Sequence, residues 1–279
     1  MKKAFLALAL LILAACAEPN TSQNNLGIEY GNASIIGGKA ATETDAVTAS
    51  TVSLLVNIDG NLTPFCTGIL ISKNLVLSAQ HCFATTAEQQ IIVSFGTNIP
   101  KTMEEGTLRE VESFVLHGKY KTIYDDNGFP ISALNDVALI KLAEFAPESA
   151  QPAPILEEGL TLNDGQELLL AGFGLTYDLK PRVYATGMNY VRVPLAKTVD
   201  TILVTDQTSA KGACNGDSGG PAFLETSKGL IVVGITRGAH GRANDCRHFG
   251  EYTFASKFKK FILDTAHIDG AELPVFVGL

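Results

Sequence analysis

The chain has 279 residues, 46% of them hydrophobic and 18% charged, which suits one large folded core or two modest ones and excludes a disordered chain. Its formal net charge is -8 and no run of Lys or Arg follows the N-terminus, which excludes the clustered positive surface that tracks nucleic-acid phosphates. The acidity speaks to solubility and names no partner.

In chain order, Met1-Lys2-Lys3 is a short basic start and Ala4 to Ala14 an apolar stretch too short to span a bilayer comfortably. The stretch ends Leu13-Ala14-Ala15-Cys16, which resembles the lipobox of a bacterial lipoprotein signal. Cleavage before Cys16 would leave that cysteine carrying lipid and anchor the chain to a membrane through acyl chains. With Ala17 rather than Asp next, a Gram-negative host would send it to the outer membrane. The alternative is an ordinary secretory signal whose cleavage region contains a cysteine. Either reading exports the chain to an oxidising compartment, where cysteines pair. The chain has 5 cysteines, and setting Cys16 aside leaves the even set Cys66, Cys82, Cys214 and Cys246. Residues 1–15 are thus expected to be a signal. Residues 16–34, rich in Asn, Ser, Thr and Gly without an apolar period, read as a spacer or propeptide.

From Val47 onward, short β-branched runs alternate with turn residues: Val52 to Ile58, Gly68 to Ser72, Leu75 to Ser78, Ile91 to Phe95 and Val137 to Leu142. That spacing predicts an all-β sandwich or barrel. The Pro-rich passage from Ala146 to Pro154 reads as a linker. Strand-like runs resume at Leu168 to Ala171, Tyr190 to Val193, Thr201 to Thr205 and Leu230 to Thr236. Near the end, Phe258, Phe261, Ile262 and Thr265 fall on one helical face. The expected organisation is a first β unit over residues 46–142, a linker over 143–163, a second β unit over 164–254 and a helix over 255–268.

Three segments carry chemistry. Leu77-Ser78-Ala79-Gln80-His81-Cys82 ends a strand on a histidine, Asn135-Asp136-Val137-Ala138 opens a strand with an acid, and Gly216-Asp217-Ser218-Gly219-Gly220-Pro221 sets a serine among glycines. A serine hydroxyl needs a base to take its proton during attack, and histidine has a suitable pKa. A carboxylate on the far ring nitrogen fixes the tautomer and stabilises the imidazolium. Glycines let the backbone turn sharply, so that the N–H groups of Gly216 and Ser218 can converge on a developing oxyanion.

These three blocks, in the order His, Asp, Ser, are similar to the signatures of the chymotrypsin-type, trypsin-like serine protease family, over Ile35 to about Ile268. The resemblance implies an all-β fold of two antiparallel Greek-key β-barrels packed face to face with a C-terminal α-helix. It implies residues 35–279 as the protease domain, and His81, Asp136 and Ser218 as a triad that cleaves protein or peptide substrates. It further implies disulfides Cys66–Cys82 and Cys214–Cys246, no cofactor, no metal and a monomer. Ile35-Ile36-Gly37-Gly38 resembles the family's activation sequence, whose freed amino group would pair with Asp217 after cleavage at Ser34–Ile35. Because residues 16–34 contain no cysteine besides Cys16, that cleavage would also release the enzyme from a lipid on Cys16. The specificity pocket maps to Gly212, Ala213 and Gly250. Trypsin-like members keep an aspartate where Gly212 stands, so an apolar residue before the scissile bond is expected.

The chain departs from the pattern at several points. Gln80 stands where the family usually has Ala, Thr67 where it has Gly, and Gly234-Ile235-Thr236-Arg237-Gly238-Ala239 replaces a Ser-Trp-Gly substrate-binding strand. Asp245, Glu251, Arg237 and Arg247 lie in segments that could reach the pocket. His117, His240, His248 and His267 read as surface or structural, and Glu104-Glu105 as a solvated turn. Two competing functions remain. One is a protease-fold binding protein that does not cleave. The other, an esterase with G-x-S-x-G, is disfavoured by the order His, Asp, Ser.

Overall fold

The computed structural model describes residues 35–84, 89–179, 182–240 and 246–279. The expected signal, the expected lipid site Cys16 and the Ser34 side of the expected activation bond lie outside them.

The first barrel begins with a hairpin. Thr51–Ile58 and Asn61–Ser72 pair antiparallel across Asp59 and Gly60, both at positive φ (53° and 87°). An Asp-Gly pair supplies the left-handed conformation that matches strand twist, so this turn is chosen locally. Leu75–Ser78, Ala138–Leu142, Thr107–Leu116 and Gln90–Phe95 complete the ring, which closes back onto Thr51–Ile58. The strands are hydrophobic on both faces because one lines the barrel and the other packs outward: Val52, Leu54, Leu55, Ile69, Leu70, Val76 and Leu77 are all buried. Packing is tight enough that a Cβ on Gly68 would come within 2.7 Å of Val76.

The second barrel follows the strand order Pro221–Thr226, Glu167–Gly172, Asn189–Val199, Ile202–Asp206, Phe249–Phe254, Gly229–Ala239, and closes through Gly229–Ala239 onto Pro221–Thr226. Its core gathers Leu168, Leu170, Val193, Leu203, Val233 and Phe254. One continuous apolar cluster joins first-barrel residues such as Leu77 and Leu139 to Leu169, Phe223 and Ile235 of the second, so the barrels share a packed seam. The segment before Ile155 is bound to the first barrel by Ala146 N–H to Lys73 and Ala153 N–H to Leu70. Ile155–Leu156 then adds a short parallel strand to the second barrel. The C-terminal helix Lys259–Ile268 buries Ile262, Thr265 and Ala266.

Several strands lie outside the predicted runs, the longer ones being Thr107–Leu116, Pro221–Thr226, Phe249–Phe254 and the hairpin Lys121–Tyr124 with Pro130–Leu134. Thr107–Leu116 carries Arg109, Glu110 and Glu112 and has no fully buried residue, so its hydrophobic alternation is weak. Phe249–Phe254 buries a glutamate, which no periodicity anticipates.

Candidate active site

Register brings the first two chemical residues together. Ser78 pairs with Ala138, so the chain leaving Leu75–Ser78 runs beside the chain entering Ala138–Leu142. His81 sits in the short helical turn Gln80–Phe83, and Asp136 lies two residues before the second strand. Asp136 holds His81 at two points: Oδ1 accepts the His81 backbone N–H at 2.9 Å, and Oδ2 lies 2.7 Å from ring Nδ1. Its own carbonyl accepts the Thr253 hydroxyl at 3.0 Å. The Asp136 side chain is 2% exposed and that of His81 31%, so the acid is shielded while the ring reaches the cleft. A carboxylate only accepts, which puts the ring proton on Nδ1 and leaves Nε2 free as a base.

Ser218 comes from the other barrel, in the turn before Pro221–Thr226. Gly216 (φ 97°) and Gly219 (φ 81°) take conformations closed to most L-residues. A Cβ on Gly216 would lie 2.7 Å from the Gly174 backbone, and one on Gly219 would lie 2.3 Å from the Thr67 carbonyl. The turn is stitched to the first barrel by Thr67 N–H donating to the Ser218 carbonyl at 2.8 Å. The Thr67 hydroxyl adds a bridge, accepting Phe173 N–H at 3.3 Å and donating to the Gly216 carbonyl at 2.9 Å. That hydroxyl bridges the two barrels at the Ser218 turn, a role the sequence alone did not assign to Thr67. Its signal was a hydrogen-bonding side chain at a position where the family keeps a bare glycine.

His81 and Ser218 line one cavity of about 430 Å³, together with Ala213, Cys214, Asn215, Thr236 and Cys246 and two charged residues, Arg182 and Arg237. Both disulfides, Cys66–Cys82 and Cys214–Cys246, are formed; the first ties the Thr67 strand to the His81 turn. Cys66, His81 and Cys82 lie close enough to suggest a metal site. The two sulfurs are bonded to each other and His81 Nδ1 faces Asp136, so the set has no free ligand to offer in that arrangement.

Asp217 is completely buried, and burial pushes its carboxyl up to about 7 against the opposing N–H groups of Cys214 and Gly174, each 2.8 Å away. Ile35 is fully buried in the second-barrel core, and Ile36 bridges to Gly212. The Ile35-Ile36-Gly37-Gly38 segment is therefore docked onto this barrel.

The pocket differs from expectation. Ala213 lines the cavity, but Gly212 and Gly250 are not among its described lining residues. The Gln207 side chain fills the space in front of both, so a Cβ on either would collide with it. The charges also resolve differently. Arg237 and Glu251, with side chains 4% and 3% exposed, pair at 3.1 Å. Ser132 bridges them, donating to Glu251 at 2.8 Å and accepting from Arg237 at 3.1 Å. His240 Nδ1 also meets Glu251. Burial pulls Arg237 below its ordinary pKa, while the carboxylates of Glu251 and Asp136 oppose the shift. Arg247 turns to Asp178 at 2.8 Å, and Asp245 lies outside the described residues. His117 packs edge-on against Phe258 and Phe261.

The trypsin family model matches residues 35–262 of the chain. A trypsin of Phaedon cochleariae is 26% identical over 94% of this chain and 98% of its own length. Trypsin Tyr p 3.0101 of Tyrophagus putrescentiae is 28% identical over 93% of this chain and 90% of its own. Chymotrypsin-C of Bos taurus is 30% identical over 92% of this chain and 93% of its own.

Proposed function

The chain belongs to the trypsin family and is a serine-type endopeptidase, and from that premise we propose that His81, Asp136 and Ser218 are its catalytic triad, that cleavage at Ser34–Ile35 activates it, and that it prefers a neutral residue before the scissile bond. The observation that carries the triad is the two-point hold of Asp136 on His81, on the wall of the cavity that Ser218 also lines.

Ser218 Oγ attacks the scissile carbonyl carbon as His81 Nε2 takes its proton, and Asp136 stabilises the imidazolium. The carbonyl electrons move onto oxygen, and the N–H groups of Gly216 and Ser218 receive that oxyanion. Collapse breaks the C–N bond, the leaving amine takes the proton from His81, and the acyl group stays on Ser218. Water, deprotonated by His81, then releases the acid and restores the serine.

Activation answers an electrostatic problem. The fully buried Asp217 carboxyl has two backbone donors and no cationic partner among the described residues. The α-ammonium of a freed Ile35 would supply one, favouring the ionised Asp217 beside the oxyanion-forming turn. The same cut would separate the enzyme from a lipid on Cys16, making an exported, membrane-held zymogen that is released on activation. Active enzyme still carrying that lipid covalently would sink the release step.

The test is to express residues 17–279 with an engineered site before Ile35, cleave it, and digest a denatured protein mixture beside a Ser218→Ala control. New termini after Ala, Val, Leu or aromatic residues, absent from the control, support the triad and the neutral pocket. Termini after Lys, Arg or acidic residues overturn the pocket. No Ser218-dependent cleavage from a folded, processed chain overturns the triad.

A further inference from the structure

Behind the wall of the pocket lies a side chain outside every signature block. Gln207 directly follows Ile202–Asp206 and is pinned through its backbone, its N–H donating to the His248 carbonyl at 2.8 Å and its carbonyl accepting Ala210 N–H at 3.0 Å. The residue is 1% exposed. Its amide Nε2 donates to the carbonyls of Ala213 at 3.2 Å and Cys246 at 3.0 Å. Its Oε1 accepts Ala213 N–H at 3.0 Å and lies 3.5 Å from the Tyr252 hydroxyl. Ala213 and Cys246 both line the cavity that holds His81 and Ser218. The amide thus ties two segments of the pocket wall together from behind, with both N–H groups engaged.

The amide also takes up room. A Cβ on Gly212 would lie 2.1 Å from Gln207 Cδ, and one on Gly250 would lie 2.5 Å from its Oε1. Both positions are glycine because Gln207 already fills the volume their side chains would need. A pocket braced in this way is short and its inner end is uncharged; among the described residues, the charged ones of the cavity lining are Arg182 and Arg237, the latter paired with Glu251. A Lys or Arg side chain entering it would lose water and meet only like charge on the described lining. An aromatic ring would need the volume that the amide occupies.

We propose that Gln207 is a specificity-determining residue which limits the size of the substrate residue before the scissile bond, selecting small side chains such as Ala, Ser, Thr and Val. This rests on the reading of the cleft as a peptidase site with Ser218 as nucleophile.

The test measures kcat/KM on peptides differing only at that residue (Ala, Val, Leu, Phe, Lys, Glu), using the chain cleaved before Ile35, with Ser218 acylation titrated to count active sites. The wild type should prefer Ala and Val and lose at least about tenfold on Phe, the scale on which a pocket discriminates by added carbon atoms. Gln207→Ala should raise kcat/KM on Leu and Phe by about tenfold or more relative to Ala. Gln207→Met, similar in volume but unable to brace the walls, should keep the wild-type ranking at lower thermal stability. A wild type as active on Phe as on Ala overturns the size limit whatever the variants do. A Gln207→Ala ranking equal to wild type overturns the role of Gln207 while leaving a neutral pocket intact. Gln207→Met behaving like Gln207→Ala overturns occupied volume as the cause. Absence of acylation in a folded wild type is the distinct signature of failure of the underlying peptidase reading.

Discussion

Where the two barrels meet the cleft, they are built on different physics. The first presents His81 and Asp136 from the ends of strands packed by Leu, Ile and Val, and apart from Asp136 its buried polar residues carry no charge. The second buries Asp217, Arg237, Glu251 and Gln207 in or beside the walls of the same cleft. Apolar packing is non-directional and places a strand end robustly. Buried polar groups are directional and unforgiving, so they hold loops in one shape only while every partner is present. His81 and Asp136 therefore rest on a scaffold that tolerates sequence change. The Ser218 turn and the pocket rest on a network in which single substitutions should be costly.

The largest expected effects test the chemistry shared across the seam. Ser218→Ala should cut kcat by about a millionfold with an unchanged melting temperature. Asp136→Asn should cut it about ten-thousandfold by favouring the wrong tautomer of His81. Equal loss of folding in either variant would break the separation between chemistry and scaffold.

Next comes the charged wall. Glu251→Gln leaves the buried Arg237 guanidinium without its counter-charge and should destabilise the protein by about 3–5 kcal/mol in urea titration, while Arg237→Met with Glu251→Met should recover most of that. A single-variant loss below about 1 kcal/mol would show that the second barrel is no more brittle than the first.

Asp217 provides a test with a definite sign. Its folded pKa is raised to about 7, whereas an unfolded aspartate ionises near 3.8. Between those values the unfolded state releases the proton and the folded state keeps it, so the uncleaved chain loses stability as pH rises from about 4 to 7, by up to about 4 kcal/mol. Cleavage before Ile35 should abolish that decline by pairing the carboxylate with an ammonium. Urea midpoints at the two pH values, for cleaved and uncleaved chains, measure both slopes. Identical slopes would refute the pairing.

The smallest effect lies on the seam itself. Thr67→Val keeps the shape but leaves Phe173 N–H and the Gly216 carbonyl without their bridge, at about 1–3 kcal/mol. If Thr67 positions the oxyanion turn, kcat should fall with KM nearly unchanged, and Thr67→Ser should restore it. A loss of stability without a change in kcat would make the bridge purely structural.

The glycine-rich run from Gly216 to Pro221, the His81 and Asp136 blocks and the strand-rich pattern were legible in the sequence because each is local. A sharp turn must carry its own glycines, and a strand buried on both faces must carry its own β-branched run. The same locality explains what was missed. Thr107–Leu116 becomes a barrel strand because neighbours on both sides claim its hydrogen bonds, although its own pattern is mixed. Gly212 looked like a pocket floor while the residue that fills the space lay five positions earlier, in a stretch with no motif. Glu251 and Arg237 each read as a free charge that could enter the pocket, and only the pairing of Phe249–Phe254 with Gly229–Ala239 lets them neutralise each other.

The sequence by itself determined the reaction class and the all-β architecture, because motif chemistry and strand periodicity are properties of short segments. Tertiary structure alone decided the pocket floor, the charge of its walls and the bridge across the seam. Those depend on which side chains, distant along the chain, are forced to share one buried volume, and the need to satisfy every polar group there is felt only once the barrels have closed.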